Sequence, residues 1–186
     1  MVGEIETLAK IREGCSIARI GDGELKVMGG NGYSREEPNP LLSKELRVVC
    51  RYPHEKCLVG IPTMDPKGTK YRNWQRHKER FVRYLNPELQ YYSALITRPD
   101  CGKWMMTADY ARAVQSIWLG KRVVVVGSEP ERSKMAKSVR LTQDCDFVEA
   151  PFRGAYGEID RLYDEVLATN ANMAIICCGV TATYLA

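Results

Sequence analysis

The sequence predicts an α/β fold built on a doubly wound, largely parallel sheet. First, short apolar runs of strand length recur along the 186 residues, each followed by a Gly or Pro break and then a polar stretch with helical spacing. Second, these runs are apolar throughout rather than alternating, which is typical of strands covered on both faces. A chain of this length normally folds as one unit, so residues 1–186 are expected to form a single domain.

The predicted elements follow one another in regular order. Strands are expected at 15–20, 57–61, 91–96, 122–126, 147–150 and 173–178, and helices at 40–49, 71–84, 107–119, 132–141 and 157–168. The last helix is amphipathic, with apolar residues at i, i+3, i+4 and i+7 from Ile159. The valines at 123–126 and the run at 173–178 should be adjacent central parallel strands, because both need cover on two faces.

Composition limits the classes of function. Lys and Arg number 27 against 23 Asp and Glu, and the resulting net charge of +4 permits an anionic ligand but is small for a dedicated nucleic-acid binder. No apolar run approaches the roughly 20 residues that a membrane span needs, and no secretory signal is visible. Seven cysteines without a C-x-x-C pair indicate a reducing, cytoplasmic environment.

Ligands of such sheets bind outside the carboxyl ends of the strands, so the residues just after each apolar run are the candidates for a site. Asp22 and Glu24 follow the first run and are separated by Gly23, whose lack of a side chain would leave room for a diphosphate. Their carboxylates could hold Mg²⁺ or Mn²⁺, and Arg19 could contact phosphate. The same residues are also typical of a polar turn that caps the next helix.

Two further strand ends carry glycine turns. Gly127 and Ser128 follow the valine run and open a helix that contains Arg132, which is typical of an anion site and equally of a capped helix start. Neither a dinucleotide fingerprint nor a P-loop is present. Gly179 and Thr181 repeat the pattern after the run at 173–178.

The stretch 67–84 is densely basic, with aromatic residues interleaved. Such a pattern is compatible with binding of nucleic acid, and also with an amphipathic helix whose aromatic side chains pack inward. Neither of the two histidines lies in a nucleophile motif, so no catalytic triad is proposed. Candidates for a catalytic base, by position alone, are Asp65, Asp100 and Asp109.

Taken in order, the segments 17–25, 58–62, 92–99, 123–129, 151–156 and 179–186 resemble the GT-D glycosyltransferases, a bacterial family with a Rossmann-like, nucleotide-sugar-binding fold. The first segment, with Gly21-Asp22-Gly23-Glu24, is similar to the segment that carries the family's Asp-x-Glu motif. The family continues beyond the position of Ala186 into a C-terminal segment, so the chain is expected to be a nucleotide-sugar-binding domain without that segment.

The resemblance implies a glycosyltransferase that moves a sugar from a UDP-linked donor to an acceptor with the help of Mn²⁺ or Mg²⁺. By resemblance, Asp22 and Glu24 would hold the metal. The residues implied in substrate binding are Arg19, Gly21, Gly23, Arg98, Gly127, Ser128, Arg132, Gly179, Thr181 and Thr183. Two alternatives remain open: a non-catalytic nucleotide or nucleotide-sugar binding domain, and a protein that binds or modifies nucleic acid through 67–84.

Overall fold

The structure is a computed structural model that describes residues 1–62, 77–96, 108–129 and 145–186. Its strands are β1 (Ser16–Arg19), β2 (Cys57–Ile61), β3 (Tyr92–Ser93), β4 (Val123–Gly127), β5 (Cys145–Glu149) and β6 (Met173–Cys177). Its helices are α1 (Glu4–Arg12), α2 (Asp22–Met28), α3 (Pro40–Arg51), α4 (Lys78–Tyr84), α5 (Ala108–Gln115), α6 (Ile159–Ala168) and α7 (Thr181–Leu185), with a 3₁₀ turn at Ala155–Glu158. The α/β class and each of the six predicted strands are therefore confirmed.

Every described pairing between strands is parallel, as the apolar runs predicted. Instead of one ladder, the described strands pair as two three-stranded sheets, with β2 between β1 and β3, and β4 between β5 and β6. The valine strand β4 is central and buried throughout, and it is adjacent to β6 as expected. The prediction that β6 is also central is wrong: in the described part of the chain it pairs with β4 alone, and its residues are half-buried.

Four of the predicted helices have at least one end within two residues of the expected position. Helix α3 begins at Pro40 because the side chain of Asn39 accepts hydrogen bonds from the N–H groups of Leu41 and Leu42. Helix α6 begins two residues late, since the 3₁₀ turn Ala155–Glu158 precedes it. The predicted helix at 132–141 and residues 71–76 of the helix at 71–84 lie outside the described residues.

The helices α1, α2 and α7 were not predicted. Of these, α2 and α7 carry the residues of the candidate site. Helices α2 and α7 have seven and five residues, too few to be stable without tertiary contacts. Helix α2 packs against α3, and α7 packs against β1, β6, α3 and α6. Helix α7 thus connects the two sheets. Among the described helices, none is long and apolar enough to cross a membrane.

Candidate functional site

The candidate site lies where the carboxyl ends of β1 and β6 come together. The hydroxyl oxygen of Thr183, on α7, is 2.9 Å from the carbonyl oxygen of Arg19 and 3.2 Å from Oε1 of Glu24. The single hydroxyl proton is therefore shared between an acceptor at the end of β1 and one in the first turn of α2. This contact places Glu24 beside the end of the first strand and the helix that follows the sixth.

Glu24 acts as a cap of α2. Gly21 is the N-cap residue, and its N–H donates to Oε2 of Glu24 over 2.7 Å, which is one half of a capping box. Burial raises the pKa of Glu24, against the lowering effect of hydrogen bonds from its own N–H, from Gly21 and from Thr183. The charge of Asp22 adds a further increase in this pKa. Of the two roles left open by the sequence, helix capping is the one that the contacts of Glu24 describe.

Asp22 has different surroundings from Glu24. Its side chain is exposed, and the hydroxyl of Tyr33 donates to Oδ2 over 3.3 Å. The ammonium of Lys26 lies 4.8 Å from the centre of the Tyr33 ring. The carboxylate of Asp22 is therefore open to a ligand, while that of Glu24 is held by Gly21 and Thr183.

Gly23 does not leave room for a ligand as expected. The residue is buried, and a Cβ atom placed on it would lie 2.7 Å from two carbons of the Tyr33 ring and 3.0 Å from Cγ1 of Val180. Such distances are well inside van der Waals contact. The space beside Gly23 is occupied by Tyr33, so this glycine is required for the packing of an aromatic ring.

The expected phosphate contact Arg19 is anchored at the end of β3. Its side chain is half-buried, and its Nε donates to the carbonyl oxygen of Ala94 over 2.8 Å. This bond holds the guanidinium at the carboxyl edge of the first sheet. Arg98 lies outside the described residues.

The residues expected on the nucleotide side are placed along the edge of the second sheet. Gly127 ends β4 and is in register with Cys177 of β6, and Ser128 after it is buried. Gly179 has a left-handed backbone conformation, φ +65°, and opens the turn into α7. The hydroxyl of Thr181 is buried and donates to Oε1 of Glu36 over 2.6 Å, so it contacts the protein in this structure. Arg132 lies outside the described residues.

Sequence reasoning missed Tyr33 and Glu36, in the loop between α2 and α3. The carboxylate of Glu36 is buried, whereas the neighbouring Glu37 is exposed. Nothing in the local sequence distinguishes these two acids. A signal was available for Tyr33, since an aromatic residue close after a Gly-Asp-Gly-Glu turn is a candidate for packing on its glycine.

Of the candidate bases, only Asp109 is described. It lies on α5 with its side chain exposed and forms an ion pair with Arg112 one turn later. Asp65 and Asp100 lie outside the described residues. In the described end of the basic stretch, Phe81 of α4 is buried in the core, as expected for an amphipathic helix with inward aromatic side chains.

Parallel α/β folds bind their ligands outside the carboxyl ends of the strands, and the exposed carboxylate of Asp22 lies at this edge. The family model described as "Glycosyltransferase GT-D fold" matches residues 17–186. The chain therefore belongs to the family of glycosyltransferases with the GT-D fold.

Individual relatives agree with this assignment. A probable glycosyl transferase Gly of Streptococcus gordonii is 24% identical over 188 residues, which cover 94% of this chain but only 28% of that protein. A solved structure described as a new glycosyltransferase from Streptococcus sanguinis is similar with a TM-score of 0.82 and 21% identity, over 100% of this chain and 75% of the other. A structure of the domain of unknown function 1792 has a TM-score of 0.83 and 24% identity, over 99% and 72%. These structures share the fold.

Proposed function

We propose that this chain is the donor-binding domain of a glycosyltransferase that takes its sugar from a UDP-linked donor with the help of Mg²⁺ or Mn²⁺. Membership of the GT-D family supports the reaction class. The observation that carries the site is Asp22, an exposed carboxylate at the carboxyl end of β1, beside the loop after β6. Ligands of parallel sheets bind at this edge.

The donor atoms of the site fit a hard cation that is shared with a substrate. In the described residues there is no cluster of three or more His, Cys, Asp or Glu side chains that could enclose a metal. Mg²⁺ commonly binds through one or two carboxylates together with the phosphates of the substrate and water. Asp22 would provide the open carboxylate, and Glu24 the second one if it exchanges a hydrogen bond for the ion.

The chemistry required is departure of a nucleoside diphosphate from the anomeric carbon of the sugar. A divalent cation, when bound, offsets the negative charge that develops on that leaving group. The residues of the chain prepare the site: Tyr33 orients the carboxylate of Asp22, and the bonds of Glu24 to Gly21 and Thr183 fix the turn between β1 and α2. Arg19, anchored on Ala94, would contact a phosphate of the donor.

The test is substitution of Asp22 by Asn, which keeps the shape of the side chain and removes its charge. Binding of UDP is measured by calorimetry with and without Mn²⁺, and release of UDP from UDP-sugars is measured as turnover. Asp22→Asn should weaken UDP binding at least tenfold in the presence of Mn²⁺, and should change it little without the metal. Stability should be nearly unaltered, since exposed carboxylates contribute little to folding.

The matched control is Glu6→Gln, which removes an exposed carboxylate from the first turn of α1. This variant should bind UDP and Mn²⁺ as the parent does. Equal affinity of Asp22→Asn and the parent would refute the proposed site. Tight, Asp22-dependent binding without turnover for any UDP-, GDP- or ADP-sugar would instead identify a binding domain without catalytic activity.

A further inference from the structure

The loop between α2 and α3 contains a tight hairpin at residues 33–36. The N–H of Tyr33 donates to the carbonyl oxygen of Glu36 over 2.9 Å, and the N–H of Glu36 donates back to the carbonyl oxygen of Tyr33 over 3.0 Å. Ser34, between them, has φ +56° and is the one non-glycine residue with positive φ in the described ranges. Such a conformation persists only where the surrounding structure imposes it, so the shape of this hairpin is set by its contacts.

The Glu36 end of the hairpin is anchored by a buried carboxylate. Only 8% of the residue is exposed, and its Oε1 accepts the hydroxyl proton of Thr181 over 2.6 Å and lies 3.4 Å from the N–H of Tyr156. Among the described residues, no Lys or Arg forms an ion pair with Glu36. Burial of a carboxylate without a neighbouring cation destabilises the folded state, and the hydrogen bonds that the carboxylate accepts offset part of this free-energy cost. Its two donors come from segments more than 100 residues away in sequence.

The Tyr33 end of the hairpin reaches the candidate donor site. The ring covers Gly23, and its hydroxyl donates to Asp22. Between the two ends, the carbonyl oxygen of Arg35 accepts the N–H of Gly154 over 2.9 Å. The hairpin therefore contacts the start of α2, the turn before α6 and the start of α7, which are distant in sequence.

We propose that Glu36 is a positioning residue of the donor site. It fixes the position of Tyr33, and through Tyr33 that of the Asp22 carboxylate, beside the loop after β6. A two-residue hairpin closed by two backbone bonds is short and stiff, so a shift at Glu36 displaces Tyr33 as well. The hydroxyl of Tyr33 is the described side-chain donor to the exposed carboxylate of Asp22. The positioning is a property of the fold, and its effect on donor binding rests on the function proposed above.

The experiment compares Glu36→Ala with the conservative variant Glu36→Gln, whose amide oxygen can still accept both hydrogen bonds. Thr181→Val removes the hydroxyl donor from the other side and serves as the second variant where Glu36→Ala fails to fold. The control is Thr7→Val on α1: Thr7 is as buried as Thr181, and its hydroxyl donates to the carbonyl oxygen of Gly3 and accepts the N–H of Ser93, away from the hairpin. Exchange of individual amide protons is followed by NMR without any ligand, and UDP affinity is measured with Mn²⁺.

Glu36→Ala should accelerate exchange of the amides of Tyr33, Glu36 and Gly154 at least tenfold relative to the rest of the chain, and weaken UDP binding about tenfold. Glu36→Gln should stay within about twofold of the parent in both measurements. Thr7→Val should not accelerate exchange of these three amides more than that of the rest of the chain, and its UDP affinity should equal that of the parent. Faster exchange confined to 179–185, or a uniform increase like that of the control, would overturn the proposal.

The two arms separate this inference from the proposed function. If the parent does not bind UDP, the proposed function fails, and the exchange of the Tyr33 and Gly154 amides still decides whether Glu36 holds the hairpin. If the parent binds UDP but Glu36→Ala and Thr181→Val retain its affinity, the positioning role is refuted while the function stands.

Discussion

Replacement of Gly23 by Ala tests the packing on which the candidate site depends. The added methyl group would lie 2.7 Å from Cδ1 and Cε1 of Tyr33 and 3.0 Å from Cγ1 of Val180. Because carbon atoms in contact are normally about 3.5–4.0 Å apart, the ring must retreat by roughly 1 Å. The 3.3 Å bond from Tyr33 to Asp22 is already long and would break.

The size of the effect follows from two opposing contributions. Overpacking of a buried position costs about 1–3 kcal/mol, and alanine in place of glycine inside a helix contributes up to about 1 kcal/mol in the favourable direction. Gly23→Ala should therefore lower the free energy of unfolding by about 1–2 kcal/mol. In a Tyr33→Ala background the main clash is absent, and the same substitution should cost close to nothing.

The assay is urea denaturation of the parent, the two single variants and the double variant, which form a double-mutant cycle. We expect a coupling energy of at least about 1 kcal/mol between the two positions. Gly157→Ala is the control, since nothing lies within 4 Å of a Cβ atom there, and it should leave stability nearly unchanged. An equal cost of Gly23→Ala in both backgrounds would show that the ring is not what requires glycine.

Three further results are expected. The folded-state pKa of Glu24 is raised above its unfolded value, so the free energy of unfolding should fall as the pH rises from below about 4.3 through the raised pKa. Glu24→Gln should flatten this part of the plot of urea midpoint against pH. Burial raises the pKa of the Cys50 thiol to about 12, so iodoacetamide at pH 8 should leave it unlabelled in the native protein while the exposed Cys145 reacts, as read by mass spectrometry. Comparable labelling of both would contradict the packing of Cys50. Tyr91→Phe should cost about 1–3 kcal/mol in urea denaturation, because the buried Tyr91 hydroxyl bridges the carbonyl oxygen of Cys50 and the N–H of Asn86.

The strands and the edge at which the site lies could be predicted from the sequence because both follow from local patterns. A run such as Val123–Val126 stays buried whatever its neighbours are, and polar residues after such runs must lie at the carboxyl edge of parallel strands. The position of Asp22 at the end of β1 follows from this rule alone. Helices α2 and α7 were missed because they are short and are held by contacts with distant segments.

The sequence by itself determined the α/β class, the parallel strands and the Asp22–Glu24 turn at the end of the first one. Only the tertiary structure decided what the neighbouring residues do: Gly23 accommodates Tyr33, Glu24 caps α2, and Thr181 donates to a buried Glu36. The physical reason is the range of the interactions. Hydrophobic periodicity acts between residues close in sequence, whereas these contacts join residues up to 145 positions apart, and no local pattern records which polar side chain will be buried against which partner.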